Sequence, residues 1–262
     1  MQVTRKGNDG YMLLDASEIP EAAERYASWI DSQDHIHEGV RASWLRSKMR
    51  QGDESIVAQS EDVLREIEDQ VPLSQGWQNI YDVVGSVPVI PTFLAGHPQH
   101  MRRRERTSKD NAPLTIYMDL TSSMGISKEH ILRRGIVMLA LVRVLANVRP
   151  VELWVGSSLG GGGCTGTAAW RIETTPMDLA RAGFYIADPS MSRIFGYAMA
   201  EATVERYMGG FGGAHNINTL KVLAGWRDMI VVPRIHLHDP LTKDPVAWIK
   251  RVLNKGDSND QN

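Results

Sequence analysis

The apolar and polar positions of this chain change period along its length, and the changes divide it into segments. From residue 16 to residue 71 the spacing is helical: Ala22, Tyr26, Trp29 and Ile30, then Val40, Trp44, Leu45 and Met49, then Ile56, Val57, Val63, Leu64, Ile67 and Val71. The third group follows Asp53 and Ser55, residue types that cap helix starts, and Pro72 ends it. Ahead of these helices, residues 10–14 read as a short strand. Between 73 and 112 the apolar pieces are short and broken by Gly76, Gly85, Pro88, Pro91, Gly96 and Pro98. That texture predicts an ordered, turn-rich connection packed on the core, because a flexible linker would be polar and Gly/Ser-rich. Farther along, strands are expected at 114–118, 151–155, 167–172 and 229–237. Helices are expected at 129–148, 176–182, 245–253 and from Ser190 or Ser192 to Met208, with a glycine loop at 160–163.

Alternation of this kind predicts an α/β fold: a Rossmann-like, mostly parallel sheet with helices on both faces, plus an N-terminal helical extension. The corresponding division is a helical layer at 1–72, the connection at 73–112, the α/β domain at 113–255 and a disordered polar tail at 256–262. At 262 residues and 42% apolar the chain can bury a sizeable core. A formal charge of −2 gives no global basic field to attract nucleic acid. The single cysteine, Cys164, excludes a disulfide framework and a cysteine zinc cluster. No run reaches the 18 or so apolar residues of a membrane span, and no apolar signal core opens the chain, so an intracellular protein is expected.

Chemistry concentrates where the strand at 114–118 ends. Asp119, Thr121 and Ser123 lie at alternate positions on a loop leading into the 129–148 helix, and in open α/β sheets ligands bind at such carboxyl ends. One carboxylate and two hydroxyls are a partial oxygen set for a hard dication such as Mg²⁺. Equally, they are ordinary turn and cap residues. His236, His238 and Asp239 end the 229–237 strand; with Asp119 they would compose a metal-dependent hydrolase site, and Asp239 alone could join the oxygen set. Arg102, Arg103, Arg104, Arg106 and Lys109 form the one dense basic run, a candidate grip on nucleic-acid phosphates, unless the acidic helix at 53–69 neutralises it. The glycines at 160–163 lack the Lys–Ser/Thr ending of a phosphate-binding loop and read as a hairpin.

Asp119-Leu-Thr121-Ser-Ser123 after an apolar strand, a long helix, Val151-Glu-Leu-Trp-Val155 and a hairpin-linked strand resembles a von Willebrand factor A domain. Its metal-ion-dependent adhesion site, Asp-x-Ser-x-Ser, would be present in a Thr-substituted form. The resemblance implies Mg²⁺ at the sheet's carboxyl edge, used without catalysis to capture an acidic side chain of a partner protein. Ser190 or Ser192 would take the place of the family's later Thr, and Asp239, here followed by Pro240, that of its second Asp. Residues 76–250 also resemble a group of uncharacterised tailed-bacteriophage proteins. The shared pieces are Asp82-Val-Val-Gly85-Ser-Val-Pro-Val-Ile-Pro91-Thr-Phe-Leu-Ala-Gly96-His-Pro98, Arg133-Arg-Gly135, Arg149-Pro-Val-Glu-Leu-Trp154 and Asp244-Pro-Val-Ala-Trp248. That resemblance implies a phage origin and the host cytoplasm.

Overall fold

The computed structural model describes residues 2–32, 39–70, 77–83, 87–106, 113–123, 125–146, 150–206, 217–226, 229–236, 239–244 and 246–248. Its strands are β1 (Gln2–Lys6), β2 (Asp9–Leu14), β3 (Trp77–Asp82), β4 (Val87–Pro88), β5 (Met101–Arg106), β6 (Leu114–Asp119), β7 (Val151–Gly161), β8 (Cys164–Ile172) and β9 (Met229–Val232). Its α-helices are α1 (Ile19–Arg25), α2 (Ala27–Asp31), α3 (Ala42–Gln51), α4 (Glu54–Gln70), α5 (Ile90–Leu94), α6 (Lys128–Ala146), α7 (Leu179–Ala187), α8 (Gly196–Val204), α9 (Ile217–Ala224) and α10 (Pro240–Lys243). A π-helical turn, Met191–Phe195, leads into α8.

Six strands form the main sheet in the order β1-β2-β8-β7-β6-β9. The pairs β2/β8, β7/β6 and β6/β9 are parallel, while β1/β2 and β7/β8 are antiparallel hairpins. Every residue of β6 is buried, as a central strand covered on both faces requires. Alternate residues divide between those faces. Ile116 and Met118 of β6, Leu153 and Val155 of β7 and Trp170 of β8 enter the large core beneath α6, α7 and α8. Tyr117, Trp154 and Ala169 point the other way, toward Leu220 of α9 and Trp226. There the rings of Tyr117 and Trp154 lie 5.4 and 5.3 Å from that of Trp226. Behind α6 and α7, helices α3 and α4 add a second layer on the same side.

Several expectations change in detail. The first 72 residues are not a purely helical layer: β1 and β2 belong to the main sheet, with Gly10 to Leu14 paired to Gly166 to Trp170. The glycine hairpin is tighter than expected, with β7 and β8 running to a two-residue turn at Gly162 and Gly163, whose φ values of +58° and +78° only glycine adopts readily. The 229–237 strand stops at Val232, because Pro233 has no N–H to continue a ladder. Helix α7 starts at Leu179, capped by the Asp178 carboxylate on the Arg181 N–H, and the helix after Ser190 ends at Val204. The connection at 73–112 contains a second sheet, β3-β5-β4, and α5 leaves Ile90, Phe93 and Leu94 exposed instead of packed on the core. The 245–253 helix falls largely outside the described residues, and the 256–262 tail wholly so.

Helix α8 lies directly on the sheet because two cross-strand glycines, Gly10 and Gly166, leave room for it. A Cβ at Gly166 would stand 2.0 Å from the Ala200 carbonyl oxygen, and one at Gly10 2.5 Å from that of Thr203. Since backbone is the obstacle, Gly166→Ala is expected to cost about 1–3 kcal/mol of stability. Urea denaturation of the two chains measures this, and an unchanged midpoint would count against the packing described.

Candidate functional site

The loop after β6 is held from three sides. The Asp119 side chain folds back so that Oδ1 accepts the Thr121 N–H at 2.8 Å, an Asx turn that starts the bend. From β7, the Ser158 N–H donates to Thr121 Oγ1 at 2.9 Å. The Tyr197 hydroxyl of α8 donates to the Ser122 carbonyl. Ser127 then caps α6, its Oγ accepting the His130 N–H at 3.3 Å. Asp119, Thr121 and Ser122 are all buried, and the loop turns Ser123 and Gly125 outward.

Two arginines that the sequence did not mark as site residues hold this loop. Arg134, 2% exposed, projects from the second turn of α6. Its Nη1 donates to the Asp119 carbonyl at 2.9 Å, its Nη2 to the Pro233 carbonyl, and its Nε pairs with Asp239 Oδ2 at 2.7 Å. Burial lowers the guanidinium's pKa, and the carboxylates of Asp239 and Asp119 raise it in opposition. A guanidinium's high intrinsic pKa keeps it charged. Asp239 is itself fixed, because its Oδ1 accepts the Leu241 N–H at 3.0 Å at the start of α10.

Arg193, 4% exposed, comes from the π-helical turn on the opposite side. Its Nη2 donates to the carbonyls of Ser123, at 3.0 Å, and Ile126, and its Nε reaches Ser122 Oγ at 3.4 Å. These acceptors are neutral, and among the described residues Arg193 has no carboxylate in an ion pair. Burial lowers its pKa as well. Tyr197 is pushed up by burial, against the lowering effect of its bond to Ser122, and so remains a neutral donor. Tyr117, beneath Asp119, is raised well above its ordinary value by burial and by the Asp119 charge.

The residues expected at the site separate in three dimensions. The Asp119 carbonyl and the Asp239 carboxylate meet one guanidinium. Thr121 joins them as a brace to β7, and Ser123 forms the rim. Ser190 and Ser192 sit close by in sequence to Arg193, but their hydroxyls serve their own turn: Ser190 Oγ donates to Asp188 at 2.5 Å and Ser192 Oγ to the Pro189 carbonyl at 3.0 Å. His236 is exposed, and His238 lies outside the described residues. Arg102, Arg103, Arg104 and Arg106 occupy β5, the central strand of the small sheet, while Lys109 also falls outside. Of the acids at 53–69, Glu61 pairs with Arg143 at 2.7 Å, Asp53 with Lys48 at 3.8 Å and Asp62 with Arg65 at 3.7 Å. The signal that could have found Arg134 was an arginine in the apolar stripe of a helix that follows the candidate loop.

These positions do not fit a bound Mg²⁺. The ion needs an octahedron of oxygens at about 2.0–2.1 Å. Here Asp239 is paired to Arg134, whose full positive charge also lies against the Asp119 carbonyl, and the two later serines are turned to Asp188 and Pro189. A dication about 4 Å from a guanidinium would meet repulsion on the order of 8 kcal/mol at an effective dielectric near 20.

Fold and site together define an α/β domain whose carboxyl-edge loop is locked by buried arginines. The chain belongs to the family described as Domain of unknown function (DUF7192), whose model matches residues 11–256. No curated protein and no solved structure matches it.

Removing one member of a buried pair strands the other, so Arg134→Met should lose about 3–5 kcal/mol. In a double-mutant cycle by urea denaturation, Arg134→Met with Asp239→Asn should lose clearly less than the two single losses added. Strict additivity would show that the pair is not coupled.

Proposed function

We propose that this chain is a non-enzymatic interaction module of the von Willebrand factor A type, whose loop at 119–127 receives an acidic side chain from a partner protein. The sheet segment β8-β7-β6-β9 supports the reading: β6, β7 and β9 run parallel, and the hairpin strand β8 runs against them. So does the site's position at the carboxyl end of the central strand β6, ahead of the long helix α6. The observation that carries it is Arg193, a charged guanidinium bonded to neutral oxygens directly under the exposed Ser123. Its Nη1 makes no hydrogen bond to a described residue, so a partner carboxylate has a donor left to meet, and charge-assisted bonds of this kind are the strong ones. With the resemblance of residues 76–250 to tailed-bacteriophage proteins, the proposal extends to a phage protein meeting a phage or host partner in the host cytoplasm. No helix among the described residues is long and apolar enough to cross a membrane.

The test uses the ¹⁵N-labelled full chain, a short glutamate-containing peptide and its glutamine counterpart. The Arg193 Nε–Hε resonance is expected to shift with the glutamate peptide, with affinity about tenfold lower for the glutamine peptide or for Arg193→Met, a difference of roughly 1.4 kcal/mol. Equal responses to both peptides would refute carboxylate capture.

A second reading, nucleic-acid binding, is favoured by the register of the small sheet. Arg102, Arg104 and Arg106 pair with Tyr81, Asn79 and Trp77, so the backbone assigns all six positions to one face, basic and aromatic types together. Fluorescence anisotropy with a single-stranded DNA oligonucleotide should then show affinity falling with salt, with a log–log slope of about −0.7 per phosphate neutralised. Arg102→Glu, Arg104→Glu and Arg106→Glu combined should abolish it; unchanged binding by that variant would clear the face of the role.

A further inference from the structure

We infer that Arg134 is the built-in cation of this loop: its guanidinium joins the Asp119 carbonyl to the Asp239 carboxylate, and it sets the loop permanently in its binding geometry. The inference rests on the reading of residues 119–127 as a recognition loop, but not on who the partner is.

Three features distinguish this arginine from an ordinary buried ion pair. First, its contacts span the sheet edge. It reaches the end of β6 through the Asp119 carbonyl, the end of β9 through the Pro233 carbonyl, and the start of α10 through the Asp239 carboxylate. Second, it is delivered by the helix that follows the loop, so α6 and the loop cannot separate without stranding a buried charge. Third, the hydroxyls of Ser190 and Ser192, which would complete an oxygen shell, are committed elsewhere, as expected where no shell has to be built. A cation carried on the chain cannot be removed by a chelator or diluted away. Recognition at this loop is therefore constitutive: it needs no dication and is not switched by one.

The prediction separates charge from metal, and the probe is Mn²⁺ alone with the full chain. By calorimetry the wild type should show no saturable Mn²⁺ binding, and its melting temperature should be the same in Mg²⁺ and in EDTA. Arg134→Ser removes the cation beside Asp239 and the Asp119 carbonyl; it should melt lower, bind Mn²⁺ saturably and recover several degrees when Mn²⁺ is added. Adding Asp239→Ala to it should remove that binding. Saturable Mn²⁺ binding by the wild type that disappears in Asp119→Ala would overturn the inference, and so would a folded Arg134→Ser chain indifferent to Mn²⁺. Should Arg134→Ser not fold, Arg134→Lys and Arg134→Met decide. A Lys variant melting well above the Met variant supports a cationic role, and equal losses overturn it. None of these readouts uses a partner peptide, so failure here is distinguishable from failure of carboxylate capture at Arg193.

Discussion

The site depends on one buried positive charge. Taking a guanidinium out of water costs several kcal/mol even after the protein relaxes around it, and nearby acceptors and an opposite charge offset that cost. Arg134 finds them on three separate pieces of chain: the Asp119 carbonyl, the Pro233 carbonyl and the Asp239 carboxylate. Each acceptor is useful only if the others are present, so the arginine couples the ends of β6 and β9 to the first turns of α6. The loop between them inherits this constraint. Its own braces, Ser158 to Thr121 and Tyr197 to Ser122, then need only fix local direction.

Around this lock the sheet is packed differently on its two faces. One face carries the large mixed core under α6, α7 and α8, while the other holds the Tyr117–Trp154–Trp226 cluster. Close approach on the first face relies on missing side chains. Gly10 and Gly166 admit the backbone of α8, and Gly135 of α6 would place a Cβ 2.2 Å from the Ala187 Cα of α7. Because α8 continues from the π-helical turn bearing Arg193, these contacts also determine where the second arginine meets the loop. Packing on the sheet and charge at its edge are thus linked through one helix.

Much of the α/β pattern was legible because strands and helices bury faces with different periods. The β6, β7 and β8 strands, the long α6 and helices α3, α4 and α8 all leave that signature, though the boundaries move by several residues. The β2 strand was visible, but its partner was not. Pairing Gly10 to Leu14 with Gly166 to Trp170 joins segments more than 150 residues apart, and no local pattern encodes such a contact. The small sheet at 77–106 was read as a connection because its glycines and prolines dominate the local texture.

The same division runs through the site. The sequence alone established an acidic and hydroxylic loop at the carboxyl end of an apolar strand, since residue type and alternation are local properties. It also singled out Asp239, because an acid where a strand ends is visible without a fold. The partner of those acids came only with the tertiary structure. Arg134 lies 15 residues from Asp119 and 105 from Asp239, as the numbering shows, within a helix whose stripe otherwise reads as plain core. Arg193 was passed over in favour of its serine neighbours, whose hydroxyls proved to be turned into their own helix start. Which charge a buried carboxylate faces is a property of packing, and the sequence records only that such charges exist.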